Sequence, residues 1–109
     1  MVIPSNETFD GTWPFVPHFT RASGFEQHYV DEGPRGAETI LCLHGEPTWG
    51  YLYRKMIAPL SETFRVVVPD HMGFGKSETP QDRVYTLQSN VENLERFVEA
   101  LDLRDITLV

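Results

Sequence analysis

Two short apolar runs constrain the fold of this chain more strongly than any other feature of its sequence. Residues 39–43 are Thr-Ile-Leu-Cys-Leu, and Arg65–Pro69 contains the β-branched run Val-Val-Val. A continuous apolar run of this length is typical of a strand with both faces buried, as in a parallel sheet that helices cover on each side. We therefore expect two buried strands, joined by a segment that crosses back to the other end of the sheet.

The segments that follow the two runs have the spacing of amphipathic helices. The first has apolar residues three or four positions apart, at Trp49, Leu52, Tyr53, Met56, Ile57 and Leu60. The second has the same pattern, at Leu87, Val91, Leu94, Phe97, Val98 and Leu101. This periodicity predicts a first helix of about ten residues with Thr48 as its N-cap, and a second helix with Thr86 as its N-cap.

The remaining segments complete an alternating pattern of strands and helices. Residues 25–30 and 106–109 predict two further strands, whereas residues 1–24 predict an irregular arm with several prolines and aromatic residues. We predict an α/β fold with a mostly parallel sheet flanked by helices. Two helices and four short strands would leave part of such a sheet uncovered, so residues 1–109 are expected to form only part of a core domain.

The composition excludes several classes of partner. The formal net charge of −7 would be repelled by nucleic acid or an anionic membrane, and the nine basic residues form no compensating patch. The first twenty residues contain no Lys, no Arg and no long apolar stretch, so we expect neither a signal peptide nor a membrane span, and a cytoplasmic location. The single cysteine, Cys42, lies in an apolar run and is expected to be a buried, unreactive thiol.

The segment most informative about chemistry is residues 44–49, His-Gly-Glu-Pro-Thr-Trp, between the first buried strand and the first helix. Ligands of open α/β sheets bind beyond the carboxyl ends of the strands, where this segment lies. Gly45 permits close approach of the backbone, and the start of a helix supplies N–H groups without partners. The segment fits an oxyanion hole whose donor is the backbone N–H of Glu46, and it equally fits a tight connection with no chemical role.

Other patterns in the chain disfavour alternative chemistries. Residues 73–77, Gly-Phe-Gly-Lys-Ser, end like a phosphate-binding loop, but Asp70 stands where that motif requires its first glycine. No Gly-x-Ser-x-Gly segment is present, which excludes a serine esterase within these residues. The four histidines lack metal-ligand spacing, so no metal site is expected. Asp70 is expected to anchor the glycine loop rather than to act as a nucleophile.

Several of these segments together resemble the haloalkane dehalogenase family of α/β-hydrolases. Residues 44–57 (His-Gly-Glu-Pro-Thr-Trp-Gly-Tyr-Leu-Tyr-Arg-Lys-Met-Ile) resemble the subgroup that has Glu after His-Gly. Residues 68–77 (Val-Pro-Asp-His-Met-Gly-Phe-Gly-Lys-Ser) resemble the family's loop after the next strand, and residues 101–109 its approach to the nucleophile strand. The resemblance implies the N-terminal part of an α/β-hydrolase core, ending before the nucleophile and without the cap domain.

The activity implied by this resemblance is hydrolysis of a carbon–halogen bond without a cofactor or a metal. In that family an Asp carboxylate displaces halide to form an alkyl ester, which a water activated by a His then hydrolyses. The matching positions lie beyond Val109, so the 109-residue chain is expected to be inactive alone. The implied partners are a haloalkane, water and the remaining part of the same hydrolase.

Few functional positions of the family carry over to this chain. The resemblance implies Glu46 as an oxyanion donor through its backbone N–H, with a cis peptide between Glu46 and Pro47. Pro47 and Trp49 are implied as substrate-binding residues, with packing as the alternative for Trp49. The residues implied to support the motif are His44, Gly45, Asp70, Gly73 and Gly75.

Two alternative functions stay open at this stage. An epoxide hydrolase shares the Asp nucleophile and the sheet, but it typically carries an aromatic residue where Glu46 stands. A short protein that acts as a binding or structural module, without turnover, also fits the sequence. A reading frame that continues beyond Val109 would favour a hydrolase over such a module.

Overall fold

The computed structural model of the chain describes residues 3–45, 48–82 and 85–109. Over these residues the elements follow the order β1 (His18–Thr20), β2 (Gln27–Glu32), β3 (Thr39–Leu41), α1 (Arg54–Ser61), β4 (Arg65–Pro69), α2 (Leu87–Ala100) and β5 (Ile106–Leu108). A short 3-10 helix, Gly50–Tyr53, leads into α1. No helix within the described ranges is long and apolar enough to cross a membrane.

The strands form one sheet in the order β1-β2-β4-β3-β5. β3 runs parallel to β4 and to β5, whereas β2 is antiparallel to β1 and to β4. The predicted α/β fold class is therefore confirmed. The sheet is mixed because an antiparallel pair, β1 and β2, extends the parallel unit in which α1 and α2 make the crossovers.

The apolar run in Arg65–Pro69 is continuous because this segment forms β4, a central strand that is buried on both faces. Its side chains alternate between the two faces of the sheet. Val66 and Val68 pack in a cluster with Ile57 of α1 on one face, and Val67 packs in a cluster with Phe97 of α2 on the other. All five side chains are fully buried. Burial of each valine contributes about 1.5–3 kcal/mol, so both faces of β4 stabilise the sheet.

One strand lies within the segment for which an irregular arm was predicted. β1 pairs with β2 at the edge of the sheet, with Phe19 opposite His28. Its three residues directly follow Pro17 and are too few to show the alternation by which a strand is recognised in a sequence. The prediction of irregular structure was therefore wrong for His18–Thr20.

The two predicted N-caps have different outcomes. Thr86 caps α2 as predicted, because its hydroxyl accepts the backbone N–H of Ser89 at 3.1 Å and the Ser89 hydroxyl accepts the backbone N–H of Thr86 at 3.0 Å. Thr48 does not cap a helix, so that prediction was wrong. The 3-10 helix begins at Gly50, and the Thr48 hydroxyl donates instead to the carbonyl of Gly45.

The face of the sheet beside β5 is only partly covered by the described residues. An open groove of about 430 Å³ runs between α2 and β5, and its apolar lining consists of Leu41, Val91, Leu94, Val98, Ile106 and Leu108. Leu108 is 64% exposed. Over the described ranges β5 pairs only with β3, which leaves one of its edges open. An apolar groove beside an open strand edge is suited to bury further polypeptide.

Candidate functional site

The candidate site lies where the parallel strands β3 and β4 end. His44 and Gly45 follow β3, and Asp70 and His71 follow β4. Because the two strands are adjacent and parallel, their carboxyl ends lie at the same edge of the sheet. The two loops therefore meet at the edge where open α/β sheets bind their ligands.

His71 donates two hydrogen bonds to His44. The backbone N–H of His71 donates to Nε2 of His44 at 2.9 Å. Nε2 of His71 lies 3.0 Å from the carbonyl oxygen of His44, which accepts the second bond. The centres of the two imidazole rings are 4.2 Å apart, and His44 is buried. This pair joins the loop after β3 to the loop after β4.

Three donors surround the carbonyl oxygen of Gly45. Nδ1 of His44 lies 2.9 Å from this oxygen, and the backbone N–H of Thr48 donates to it at 3.0 Å. The Thr48 hydroxyl donates to the same oxygen at 2.5 Å. Just upstream, the carbonyl of Leu43 accepts the hydroxyl of Tyr53 at 2.6 Å. Side chains therefore fix the backbone at residues 43–45 beyond the end of the regular strand.

Asp70 is fully buried, and three donors surround its carboxylate. Oδ1 accepts the backbone N–H of Gly50 at 2.7 Å. Oδ2 accepts the backbone N–H of Lys76 at 2.9 Å and lies 2.9 Å from Nδ1 of His28. These contacts fit the anchoring role expected from the sequence. They do not fit a nucleophile, because both oxygens already accept hydrogen bonds and neither is exposed to a substrate.

Two glycines shape the loop that Asp70 anchors. Gly73 has a φ of +86° and Gly75 a φ of +55°, conformations that side chains disfavour. A Cβ at Gly75 would lie 2.4 Å from Oδ2 of Asp70. Glycine therefore allows the loop to approach the carboxylate closely enough for the hydrogen bond from the next residue.

Lys76 connects the same loop to the N-terminal arm. Its Nζ donates to the carbonyls of Ser5 and Glu7 at 2.9 and 2.8 Å. Burial lowers the pKa of this ammonium group, while the carboxylates of Asp70 and Glu7 act in the opposite direction. The ammonium group of Lys76 therefore holds the N-terminal arm in place. Because it already donates to backbone carbonyls of its own chain, these contacts do not support a phosphate-binding role.

Trp49 lies in a cluster of aromatic rings between the arm and the 3-10 helix. Its ring centre is 4.9 Å from that of Trp13, 5.5 Å from that of Tyr51 and 5.7 Å from that of Phe9. These contacts directly support the packing alternative for Trp49. Its predicted contact with substrate stays a prediction.

A cavity of about 270 Å³ opens beside the two histidines. It is lined by His44, Gly45, His71, Leu87, Asn90, Val91 and Leu94. A mainly apolar lining with a few polar groups is typical of small-molecule sites. No group of three or more His, Cys, Asp or Glu side chains that could hold a metal ion occurs in the described part of the chain.

Apart from Trp49, the predicted site residues fall into two groups. The structure brings together the loop residues His44, Gly45, Asp70, Gly73 and Gly75. Glu46 and Pro47 lie outside the described residues. The oxyanion donor, the cis peptide and the substrate contact of Pro47 therefore stay predictions.

Sequence reasoning missed three residues that organise the loops: His28, His71 and Lys76. His28 lies 42 positions before its partner Asp70, so no local spacing links the two residues. Lys76 was considered only as part of a phosphate-binding motif. For His71 a signal was available, because it directly follows an Asp at the end of a predicted buried strand.

Comparison with known proteins gives matches over most of the chain. Residues 38–109 match the family model described as alpha/beta hydrolase fold. A haloalkane dehalogenase of Psychrobacter cryohalolentis is 46% identical over 101 residues, covering 86% of this chain and 33% of that protein. A cis-3-alkyl-4-alkyloxetan-2-one decarboxylase of Xanthomonas campestris pv. campestris is 42% identical over 87 residues, covering 73% of this chain and 29% of that protein. The chain spans about a third of the length of these curated relatives.

Solved structures give the same picture. The haloalkane dehalogenase DpaA from Paraglaciecola agarilytica NO2 has a TM-score of 0.83 and 43% sequence identity, covering 89% of this chain and 35% of that one. The haloalkane dehalogenase DatA from Agrobacterium tumefaciens C58 has a TM-score of 0.77 and 35% identity, covering 84% of this chain and 31% of that one. Both likenesses extend over most of this chain.

Proposed function

Because the chain belongs to the alpha/beta hydrolase fold family, we propose that it supplies the oxyanion-binding part of a hydrolase that cleaves the carbon–halogen bond of haloalkanes. The observation that carries this proposal is the 46% identity to a haloalkane dehalogenase over 86% of the chain. The fold alone would not identify a reaction, since many reactions share it. The tightly fixed His44-Gly45 loop at the carboxyl end of β3 gives the proposal a site.

The proposed reaction has two covalent steps. A carboxylate oxygen of an Asp in the remaining part of the hydrolase attacks the carbon that bears the halogen. The C–O bond of an alkyl ester forms as the carbon–halogen bond breaks, and the halide leaves with the bonding electrons. A water that loses one proton to a His then attacks the ester carbonyl and forms a tetrahedral oxyanion. Its collapse breaks the C–O bond to the alkyl group, the alkoxide takes the second proton of that water to become the alcohol, the carboxylate is regenerated, and the His returns its proton to solvent. The net reaction is a hydrolysis, so it requires no redox cofactor.

The proposed task of this chain is to stabilise the oxyanion formed during ester hydrolysis. We assign the donor to the backbone N–H of Glu46. A peptide group is planar, and its C=O and N–H point in opposite directions. The three donors on the Gly45 oxygen are therefore suited to orient the amide of the same peptide group. A donor that is fixed before the charge develops gives the largest stabilisation of the transition state.

The other site residues have supporting roles in this proposal. Pro47 and Trp49 line the substrate site, and the cavity beside His44 is the space where the reacting groups meet. His44 and Gly45 hold the loop after β3. Asp70, with Gly73 and Gly75, holds the loop after β4 against it.

We propose that the remaining part of the same hydrolase covers the groove between α2 and β5. The apolar lining of the groove and the open edge of β5 favour a further strand and helix as its occupants. In this proposal residues 1–109 are one part of a core domain, ending at the strand before the nucleophile. The isolated chain would then associate with itself through the uncovered surface.

A second candidate reaction is the decarboxylation of a cis-3-alkyl-4-alkyloxetan-2-one. This candidate rests on the 42% identity to the Xanthomonas decarboxylase, which is close to the identity to the Psychrobacter dehalogenase. Epoxide hydrolysis is the alternative inferred from the sequence resemblance. Both alternatives place the same loops at the same sheet edge, so activity assays have to separate the three reactions.

The decisive experiment is a chimera in which residues 1–109 replace the matching segment of the Psychrobacter dehalogenase. Halide release is measured with 1-bromobutane and 1,2-dibromoethane for the chimera and for the isolated chain. We expect the chimera to release halide and the isolated chain to release none, because the isolated chain lacks the carboxylate that attacks carbon. A second chimera with the Xanthomonas decarboxylase, assayed for CO2 release from its oxetan-2-one, tests the other candidate.

Two outcomes would contradict the proposal. One is a chimera that folds, as judged by circular dichroism and a cooperative melt, but releases no halide. The other is halide release by the isolated chain that survives repurification, which would place the nucleophile within residues 1–109. The rate of each chimera is also divided by the rate of its parent enzyme. A higher ratio for the decarboxylase chimera than for the dehalogenase chimera would favour the second candidate.

A further inference from the structure

We propose that His71 is a positioning residue for the oxyanion loop and acts through one fixed tautomer of His44. The catalytic part of this inference rests on the function proposed above. Its structural part stands on the hydrogen bonds between the two loops. His71 acts twice on His44, through its backbone N–H on the ring and through its own ring on the carbonyl.

The hydrogen bonds determine which ring nitrogens carry a proton. A backbone N–H only donates, so Nε2 of His44 is the acceptor and carries no hydrogen. The ring proton of His44 is then on Nδ1, which donates to the carbonyl of Gly45. A carbonyl only accepts, so Nε2 of His71 carries a hydrogen and donates to the carbonyl of His44. One tautomer of His44 satisfies all three bonds.

Hydrogen bonds to the carbonyls of this loop hold its backbone. Gly45 is exposed, and within the described ranges a Cβ at this residue would meet no heavy atom within 4 Å. The carbonyl of His44 is held by the ring of His71. The carbonyl of Gly45 is held by the ring of His44 together with the N–H and hydroxyl of Thr48. A carbonyl that is fixed in this way fixes the plane of its peptide group. The two histidines therefore orient the peptide group that carries the proposed oxyanion donor.

The first test determines the tautomer and requires no turnover. The chain has four histidines, which are labelled with 15N in the isolated chain and, by segmental ligation, in residues 1–109 of the chimera. We expect His44, assigned by the loss of its signals in His44→Asn, to have a protonated Nδ1 and an unprotonated Nε2. A His44 ring with the proton on Nε2, or a rapid exchange between both tautomers, would overturn the inference.

The second test measures the kinetics of two variants of the chimera. His71→Phe keeps a flat ring beside His44 but removes the donor, whereas His71→Gln places a side-chain N–H near the position of Nε2. We expect His71→Phe to lower kcat about tenfold with KM unchanged within about twofold, because the donor acts on charge that develops in the transition state. We expect His71→Gln to restore kcat to within about threefold of the unmodified chimera.

The outcomes separate this inference from the proposed function. An unchanged kcat in His71→Phe, with or without a lower melting temperature, would show a structural role only and overturn the positioning role. Equal losses of kcat in both variants would also overturn it, because the donor would then not be the cause. An unmodified chimera that releases no halide would refute the proposed function and the catalytic part together, while the tautomer measurement is unaffected.

Discussion

Replacing Asp70 by Asn tests whether one buried carboxylate organises both loops of the candidate site. The substitution preserves the shape of the side chain but exchanges one acceptor oxygen for an NH2 group. Oδ2 accepts hydrogen bonds from two donors, on His28 and Lys76. The amide oxygen of the introduced Asn is therefore expected to take the position of Oδ2. The NH2 group then faces the backbone N–H of Gly50, which loses its acceptor.

The expected cost follows from these contacts. A buried N–H without an acceptor costs about 1–3 kcal/mol, and hydrogen bonds to a neutral oxygen are roughly half as strong as those to a charged one. Together these losses predict a destabilisation of about 3–5 kcal/mol. This is a large fraction of the roughly 5–15 kcal/mol by which folded proteins are stable.

Urea unfolding of the dehalogenase chimera, followed by tryptophan fluorescence, measures this loss. Asp102→Asn is a matched control, because it is the same substitution at a side chain that is 75% exposed and is paired with an exposed Arg104. Exposed ion pairs contribute about 0–1 kcal/mol, so the control should change little. If Asp70→Asn loses no more free energy of unfolding than Asp102→Asn, the anchoring role of Asp70 is refuted.

Gly75→Ala should lower the free energy of unfolding by more than about 2 kcal/mol, because its left-handed φ disfavours a side chain and its Cβ would collide with a carboxylate oxygen. Gly36→Ala, where a Cβ meets no atom within 4 Å, is the control, and equal urea midpoints for the two variants would contradict the reasoning. Burial raises the pKa of the Cys42 thiol to about 11, so a disulfide reagent at pH 8 should label it only after unfolding. The unfolded thiol ionises first as pH rises, so this group should lower stability between about pH 9 and 11, and Cys42→Ala should make the decline smaller. Fast labelling of the folded protein at pH 8 would refute the burial of this thiol.

The parts of the fold that sequence reasoning predicted are those that local patterns determine. β4 has the predicted bounds, Arg65–Pro69, because a strand buried on both faces needs a continuous apolar run. α2 begins after Thr86 as predicted, because an N-cap acts on the residues next to it. β1 was missed because an edge strand of three residues is formed by its partner rather than by its own sequence.

The candidate site was predictable in its location but not in its internal contacts. The carboxyl ends of β3 and β4 follow from the strand pattern, so His44 and Asp70 were each placed beyond the end of a strand. The contact between His28 and Asp70 depends on how β2 pairs with β4, and that antiparallel pairing leaves no periodic signal in the sequence. The hydroxyl of Thr48 was assigned to a helix because helical spacing alone does not tell how the preceding turn closes.

The contact between Lys76 and the arm has a consequence for the order in which the chain folds. Its Nζ binds carbonyls 71 and 69 positions away in the sequence, at Ser5 and Glu7. Contacts with such large sequence separation close a long loop at an entropic cost and tend to form late. The paired residues of β3 and β4, such as Thr39 and Arg65, are much closer in sequence. The β3-α1-β4 unit should therefore assemble earlier, and the arm should dock on it later. By the same reasoning the arm opens first in the native state, which makes it the segment most accessible to proteases.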